Sequence, residues 1–275
     1  MALSTALSTV LLLITAFFAP PPPTPAEPKA KAWTSAEYLI VPVRVHLLRD
    51  TVTPAAGTKL TDEDIARIYR KANEIWHAAG VHLLVESVVS EPPASVAGYE
   101  HQAVLPIDAL LALRTMSTRP GGMFHVYYIG EMPPNGIFMR RDGIFVKETA
   151  RLRRVPGGID EPLPRVSAHE LGHGMGLPHR QDMTNLMASG TTGTSLNAAE
   201  IDTVRETLSK LTWVETLEGC RHRADALLAA GKKEEALARY RALLALPAEP
   251  AALAEIRAIL ERAAKPVGGA DGKGA

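Results

Sequence analysis

The chain has 275 residues, 46% of them hydrophobic, enough for one well-buried core with a smaller appendage and too apolar for a disordered protein. Thirty basic residues balance thirty acidic ones, so charge singles out neither nucleic acid nor an anionic membrane surface as a partner, and neither is expected. One cysteine, Cys220, excludes intrachain disulfides and paired-cysteine zinc sites, and reads as a small buried hydrophobe.

Residues 2–19 carry no charge, and Val10 to Phe18 form a short apolar run like the hydrophobic region of a secretory signal. Residues 1–19 are therefore a signal-like segment, and a secreted or periplasmic location is expected. Left uncleaved, the segment would anchor the chain to a membrane, although the run is short of the ~20 residues that a spanning helix needs. Residues 20–32 (PPPPTPAEPKAKA) form a stiff, extended proline-rich spacer. Only residues 20–37, without cysteine, separate the apolar run from the first strand, so no inhibitory segment is expected to need removal.

A folded domain is expected over residues 33–213. Tyr38 to Leu48 reads as a strand. A helix follows with Thr61 as N-cap, Asp62, Glu63 and Asp64 in its first turn, an apolar face of Ile65, Ile68, Ala72, Ile75 and Ala79, and Gly80 as its stop. Val81 to Val89 is a second strand, so the opening is β-α-β with parallel strands. Asp108 to Met116 predicts a short helix and Phe124 to Ile129 a third strand. Gly136 to Arg140 and Gly143 to Lys147 predict a hairpin about Arg141-Asp142, one strand of which runs against the others and forms an open edge.

Beyond the central region, Asn197 and Glu200 form a capping-box start to a helix with apolar face Ile201, Val204, Leu208 and Leu211. Residues 214–264 predict a helical hairpin, broken at Gly231-Lys232 and stopped by Pro247 and Pro250, that resembles a single tetratricopeptide helix pair. One such pair cannot bury a core alone, so it is expected to pack on the main domain, with recruitment of a protein partner as the other use. Residues 265–275 read as a flexible tail.

The chemistry sits in His169-Glu170-Leu171-Gly172-His173-Gly174-Met175-Gly176-Leu177-Pro178-His179. Its first five residues fit H-E-x-x-H, which on a helix puts two histidines one turn apart on one face, able to grip one ion. Roughly 0.02 occurrences are expected by chance in a chain of this composition, and requiring Gly176 and His179 multiplies that by about 0.0025. A straight helix could not return a third histidine to the same ion, so Gly176 must supply the turn that swings His179 in. Three neutral imidazoles leave a fourth tetrahedral position for water, the pattern of a catalytic zinc site, with Glu170 placed as general base and then general acid.

These residues resemble the metzincin clan of zinc peptidases, whose signature continues to a methionine-bearing turn beneath the metal. Asn185-Leu186-Met187-Ala188-Ser189-Gly190 looks like that turn, with Met187 preferred to Met183. The resemblance covers most of residues 38–213 and is nearest to matrixin-like bacterial enzymes. Ser189 stands where astacins and serralysins carry a tyrosine, and Arg180 departs from what most subfamilies place after the third histidine.

The resemblance implies an α/β fold with a twisted mixed sheet, an active-site helix and an irregular lower subdomain, the zinc lying in the cleft between. It implies a zinc endopeptidase acting on polypeptides, with His169, His173 and His179 as ligands to one Zn2+, and it leaves calcium open. Two other functions fit the residues less well: a non-catalytic zinc-containing protein that binds partners through its C-terminal helices, which intact Glu170 disfavours, and a zinc hydrolase of a non-protein amide. His46, His77, His82, His101, His125 and His222 lie outside ligand spacing and read as structural or exposed. Arg151, Arg153 and Arg154 read as a solvated loop close enough to the site to influence substrate choice.

Overall fold

The apolar, β-branched stretch Tyr38 to Leu48 becomes the strand about which the rest is arranged. The computed structural model describes residues 31–99, 107–155, 158–190, 193–246 and 250–264. The signal-like segment, the spacer up to residue 30, His101, Pro247 and the tail after residue 264 lie outside them. Strand β1 (Leu39–Leu48) pairs in parallel with β2 (Val81–Glu91) on one side and with β3 (Phe124–Ile129) on the other. Beyond β3 lie β5 (Ile144–Lys147), parallel to it, and β4 (Gly136–Phe138), antiparallel, giving the order β2-β1-β3-β5-β4.

Helix α1 (Asp62–Trp76) joins β1 to β2. Its start is fixed chemically: Thr61 Oγ1 accepts from the Asp64 N–H, and the Asp64 carboxylate accepts from the Thr61 N–H at 2.9 Å. Such a cap stabilises a helix by about 1 kcal/mol. The expected face is the buried one, Ile65, Ile68, Ala72, Ile75 and Ala79 all being enclosed together with Trp76. The chain leaves at Gly80, φ 65°, straight into β2.

Alternation along β1 sorts its side chains to two faces. Val41, Val43, Val45 and Leu47 join the core formed with α1 and the central helix α3 (Pro162–Gly174). Burying each contributes about 1.5–3 kcal/mol. Ile40 turns to the reverse face, and so does His46. A bulge between Val43 and Arg44 makes Glu86 of β2 an extra residue, and its carboxylate meets Arg239 at 2.8 Å.

The hairpin forms with shorter strands than expected. Gly136 to Arg140 yields only β4, and Arg140 to Asp142 make a 3-10 turn with Arg140 at φ 35°, because Arg114 binds Asp142 and holds the connection tight. The predicted helix from Asp108 is α2 (Ile107–Ala112), followed by a separate 3-10 turn at Met116–Thr118.

Helix α4 (Ala198–Ser209) starts at the Asn197–Glu200 capping box. A short strand β6 (Glu215–Thr216) then pairs antiparallel with the start of β1. The two-helix expectation for residues 214–264 is corrected to three: α5 (Leu217–Ala229), α6 (Lys233–Leu243) and α7 (Pro250–Ala264). Pro250 begins a helix where it was expected only to stop one. Proline is tolerated in the first helical turn because the N–H it lacks would have had no partner there. Leu217, Leu237, Tyr240, Leu243, Leu253 and Ile256 close over Tyr38, Ile40 and Leu84 on the reverse face, so these helices share a core with the sheet.

Candidate metal centre and cleft

Helix α3 is almost wholly buried from Leu163 to Gly172. Pro162 sits at its first position, His173 lies in its last turn and His169 one turn earlier. The helix ends in a Schellman arrangement: the Gly176 N–H reaches the His173 carbonyl at 3.0 Å and the Leu177 N–H reaches that of Gly172 at 2.9 Å. That closure needs a left-handed residue, and Gly176 has φ 93°. A Cβ there would stand 2.8 Å from Thr207 Oγ1 of α4, so packing and backbone angle both demand glycine.

The turn brings His179 back to the first two histidines. One ring nitrogen from each of His169, His173 and His179 lies within 4.8 Å of the others, and the Nε2 atoms of His173 and His179 are 3.1 Å apart. Two tetrahedral ligands, each about 2.0–2.1 Å from one ion, would stand roughly 3.3 Å apart, so the set is close to ligating geometry. His169 Nδ1 faces the Leu186 carbonyl at 2.8 Å and His173 Nδ1 faces that of Leu177 at 2.7 Å. A carbonyl can only accept, so both Nδ1 atoms carry the proton and both Nε2 atoms present lone pairs inward. Burial, against those carbonyl contacts, pushes His169 down to about 4 and lowers His173, which favours the neutral, ligating form. The donor set and its protonation therefore fit a borderline-soft divalent cation.

Glu170 is enclosed beside His169, 7% exposed. Burial pushes its carboxyl up to about 8, opposed by a backbone hydrogen bond from Phe138. Edge strand β4 lies directly over it: a Cβ on Gly136 would come within 2.7 Å of Glu170 Cγ and Oε1 and of Val166 Cγ1. The carboxyl and the open sheet edge are thus in contact only because residue 136 has no side chain.

Met187 is fully buried, and its sulfur would lie 2.6 Å from a Cβ on Gly172, the residue before His173. The chain around it is held from several directions. Asn185 Oδ1 accepts from the Met187 N–H at 2.7 Å, and the Arg180 N–H donates to the Met187 carbonyl at 2.7 Å. Glu200 receives Arg180 Nε at 2.9 Å, Asn185 Nδ2 at 2.8 Å and the Asn197 N–H at 2.9 Å, and is itself wholly buried. The sequence offered Glu200 only as a helix cap. Its position as the anchor tying Arg180, next to His179, to the methionine turn could be read only with Asn185 and Arg180 as candidate partners. Met183 is 61% exposed and takes no part.

The other histidines are elsewhere. His46, Glu91 and His125 form a buried chain on the reverse face, His46 Nδ1 to Glu91 at 2.7 Å and His46 Nε2 to His125 Nδ1 at 2.9 Å. His77 stacks on His82, and His222 is exposed beside Glu218. Cys220 is buried on the reverse face, where burial and the Glu215 carboxylate push its thiol up to about 12.

No protein-family model matches the chain, and no curated protein sequence matches it. Among solved structures it is similar to archaemetzincin from Methanopyrus kandleri at 15% identity and TM-score 0.42, covering 63% of this chain and 97% of that one. It is similar also to mirolysin in complex with a compound, at 10% identity and TM-score 0.43, covering 64% of this chain and 94% of that one. Mature mirolysin of Tannerella forsythia in complex with a cleaved peptide gives 11% identity and TM-score 0.39, covering 64% and 98%.

Proposed function

We propose that the protein is a zinc-dependent endopeptidase of the metzincin kind, in which His169, His173 and His179 hold one zinc ion and Glu170 moves the protons of peptide hydrolysis. The observation that carries this reading is the inward aim of the His169 and His173 Nε2 lone pairs, fixed by backbone carbonyls on their Nδ1 atoms, with a buried carboxyl beside them. Bound zinc would supply a Lewis acid for the scissile carbonyl and an acidified water. Glu170 takes a proton from the attacking water and passes it to the leaving amine. Its enclosure excludes bulk water, and its contact with Gly136 places it at the edge where an extended peptide would pair with β4. Met187 packs against Gly172 in the last turn of α3, directly before His173.

The test is metal analysis together with turnover of a mixed peptide library. Purified protein should carry about one zinc per chain and lose cleavage with chelator. Glu170→Gln should keep the metal while kcat falls by about 10²–10⁴-fold. A zinc-free protein, or wild-type turnover in Glu170→Gln, would overturn the assignment.

A further inference from the structure

The three residues of β4 are bracketed by unpaired positive charge. At one end follow Arg140 and Arg141, both exposed. At the other, Asn135 Nδ2 donates to the Arg151 carbonyl at 2.8 Å and the Arg151 N–H donates to Asn135 Oδ1 at 3.2 Å. That reciprocal pair pins Arg151 beside the residue that precedes Gly136, itself against Glu170. Next to it opens a cavity of about 450 Å3 lined by Glu131, Asn135, Lys147, Thr149 and Arg151.

The acidic groups of this region are already engaged. Thr149 donates to Glu131, which stands 3.9 Å from Lys147 Nζ; Arg114 binds Asp142; Glu148 accepts from Thr58 Oγ1 at 2.7 Å and the Lys59 N–H at 2.6 Å; Asp160 lies 3.7 Å from Arg154. Lys147 Nζ is further tied to the Met132 carbonyl at 3.0 Å. Among the described residues the guanidinium groups of Arg140, Arg141 and Arg151 have no acidic partner. In a chain of zero formal net charge, the rim of the peptide-receiving edge is therefore locally positive.

We propose that the cleft selects extended peptide segments with acidic side chains near the scissile bond, and that Arg151 is the principal specificity determinant. This rests on the endopeptidase reading above. A strand paired with β4 advances about 3.4 Å per residue, so side chains two or three positions from Glu170 fall within reach of Arg151 on one side or of Arg140 and Arg141 on the other. Backbone pairing supplies affinity irrespective of sequence, and the guanidinium groups, which take carboxylates bidentately, supply the choice.

The test compares kcat/KM for three matched peptides with Glu, Gln or Lys at the positions flanking the cleaved bond. The Glu peptide should exceed the Gln peptide by about fivefold, the worth of roughly 1 kcal/mol for a partly exposed ion pair, and the margin should shrink with added salt. Arg151→Glu should reverse the ranking in favour of the Lys peptide, which loss of local structure alone would not do. Equal rates for Glu and Gln peptides, or an acidic preference that survives Arg151→Glu together with Arg140→Glu and Arg141→Glu, would overturn the proposal. In parallel, affinities of the same peptides for Glu170→Gln protein are measured by fluorescence anisotropy. If nothing is cleaved, the hydrolytic reading fails, while the binding ranking still decides the charge preference.

Discussion

The two faces of the sheet each carry a group of three metal-ligand-type side chains, graded from buried to exposed on the α3 face and wholly buried on the other, and they are built in opposite ways. On the α3 face, His169 and His173 spend their Nδ1 protons on backbone carbonyls, leaving lone pairs directed at a common point. On the reverse face, His46, Glu91 and His125 satisfy one another. His125 Nε2 must donate to the Pro120 carbonyl at 2.9 Å, so its Nδ1 accepts from His46 Nε2. Neutral His46 then accepts at Nδ1, and the 2.7 Å contact requires a proton on Glu91. Burial favours that neutral pair, raising Glu91 and pushing His46 down to about 3. What separates a cation-binding cluster from a structural one is therefore which atoms the second partners occupy, and not the residue types.

Substituting one histidine in each cluster should break the comparison most sharply. His173→Ala should abolish metal retention, beyond the ~10–100-fold weakening that removing an outer partner causes. His46→Ala should leave the metal stoichiometry intact. Equal metal loss in both variants would show that the reverse-face cluster is part of the metal site.

A smaller effect is expected from Gly136→Ala. The new Cβ meets Glu170 and Val166 at 2.7 Å, and a displacement of the carboxyl by about 1 Å should lower kcat by about 10–100-fold while metal content stays at the wild-type value. Undiminished kcat would mean that the β4–Glu170 contact does not set the position of the base.

The smallest change concerns stability. His46→Ala removes the 2.7 Å partner of the Glu91 carboxyl, leaving it only the longer Thr118 contact at 3.2 Å, and should cost about 1–3 kcal/mol in urea denaturation. Its pH profile sharpens the assignment. Burial pushes His46 and His82 down to about 3 and His125 to about 4, each from 6.5. An unfolded histidine then binds protons that the folded one refuses, so stability present above pH 6.5 is lost as pH falls toward 4. The slope is bounded at about 1.4 kcal/mol per pH unit for each such residue. His46→Ala should flatten it, and an unchanged slope would remove His46 from the titrating set.

Legibility in the sequence followed range. The three histidines, Glu170 and the turn at Gly176 stand within eleven residues, and helical periodicity alone put His169 and His173 on one face; α1 was similarly legible through Thr61 and its apolar spacing. Gly136 lies 34 positions before Glu170, and no local pattern announces that a missing Cβ admits the Glu170 carboxyl to the sheet edge. Glu200 was hidden differently: one carboxylate caps α4 and also braces Arg180 and Asn185, and a local motif accounted for it before its longer contacts could be suspected. Pro250 was misread because proline marks the start of a helix as readily as the end of one.

The open edge also bears on how this protein behaves in a crowd of its own copies. A free row of backbone donors and acceptors is a template for any extended chain, and long flat edges invite aggregation. The β2 edge is interrupted by the bulge at Val85–Ser87 and tied through Glu86 to Arg239 of α6. The β4 edge is left open but runs for only three residues, with exposed arginines at both ends. Two copies approaching edge to edge would set like charges against each other over a ladder of about 10 Å, too short to offset that repulsion. The same brevity and charge thus guard the molecule against fibrillar self-pairing.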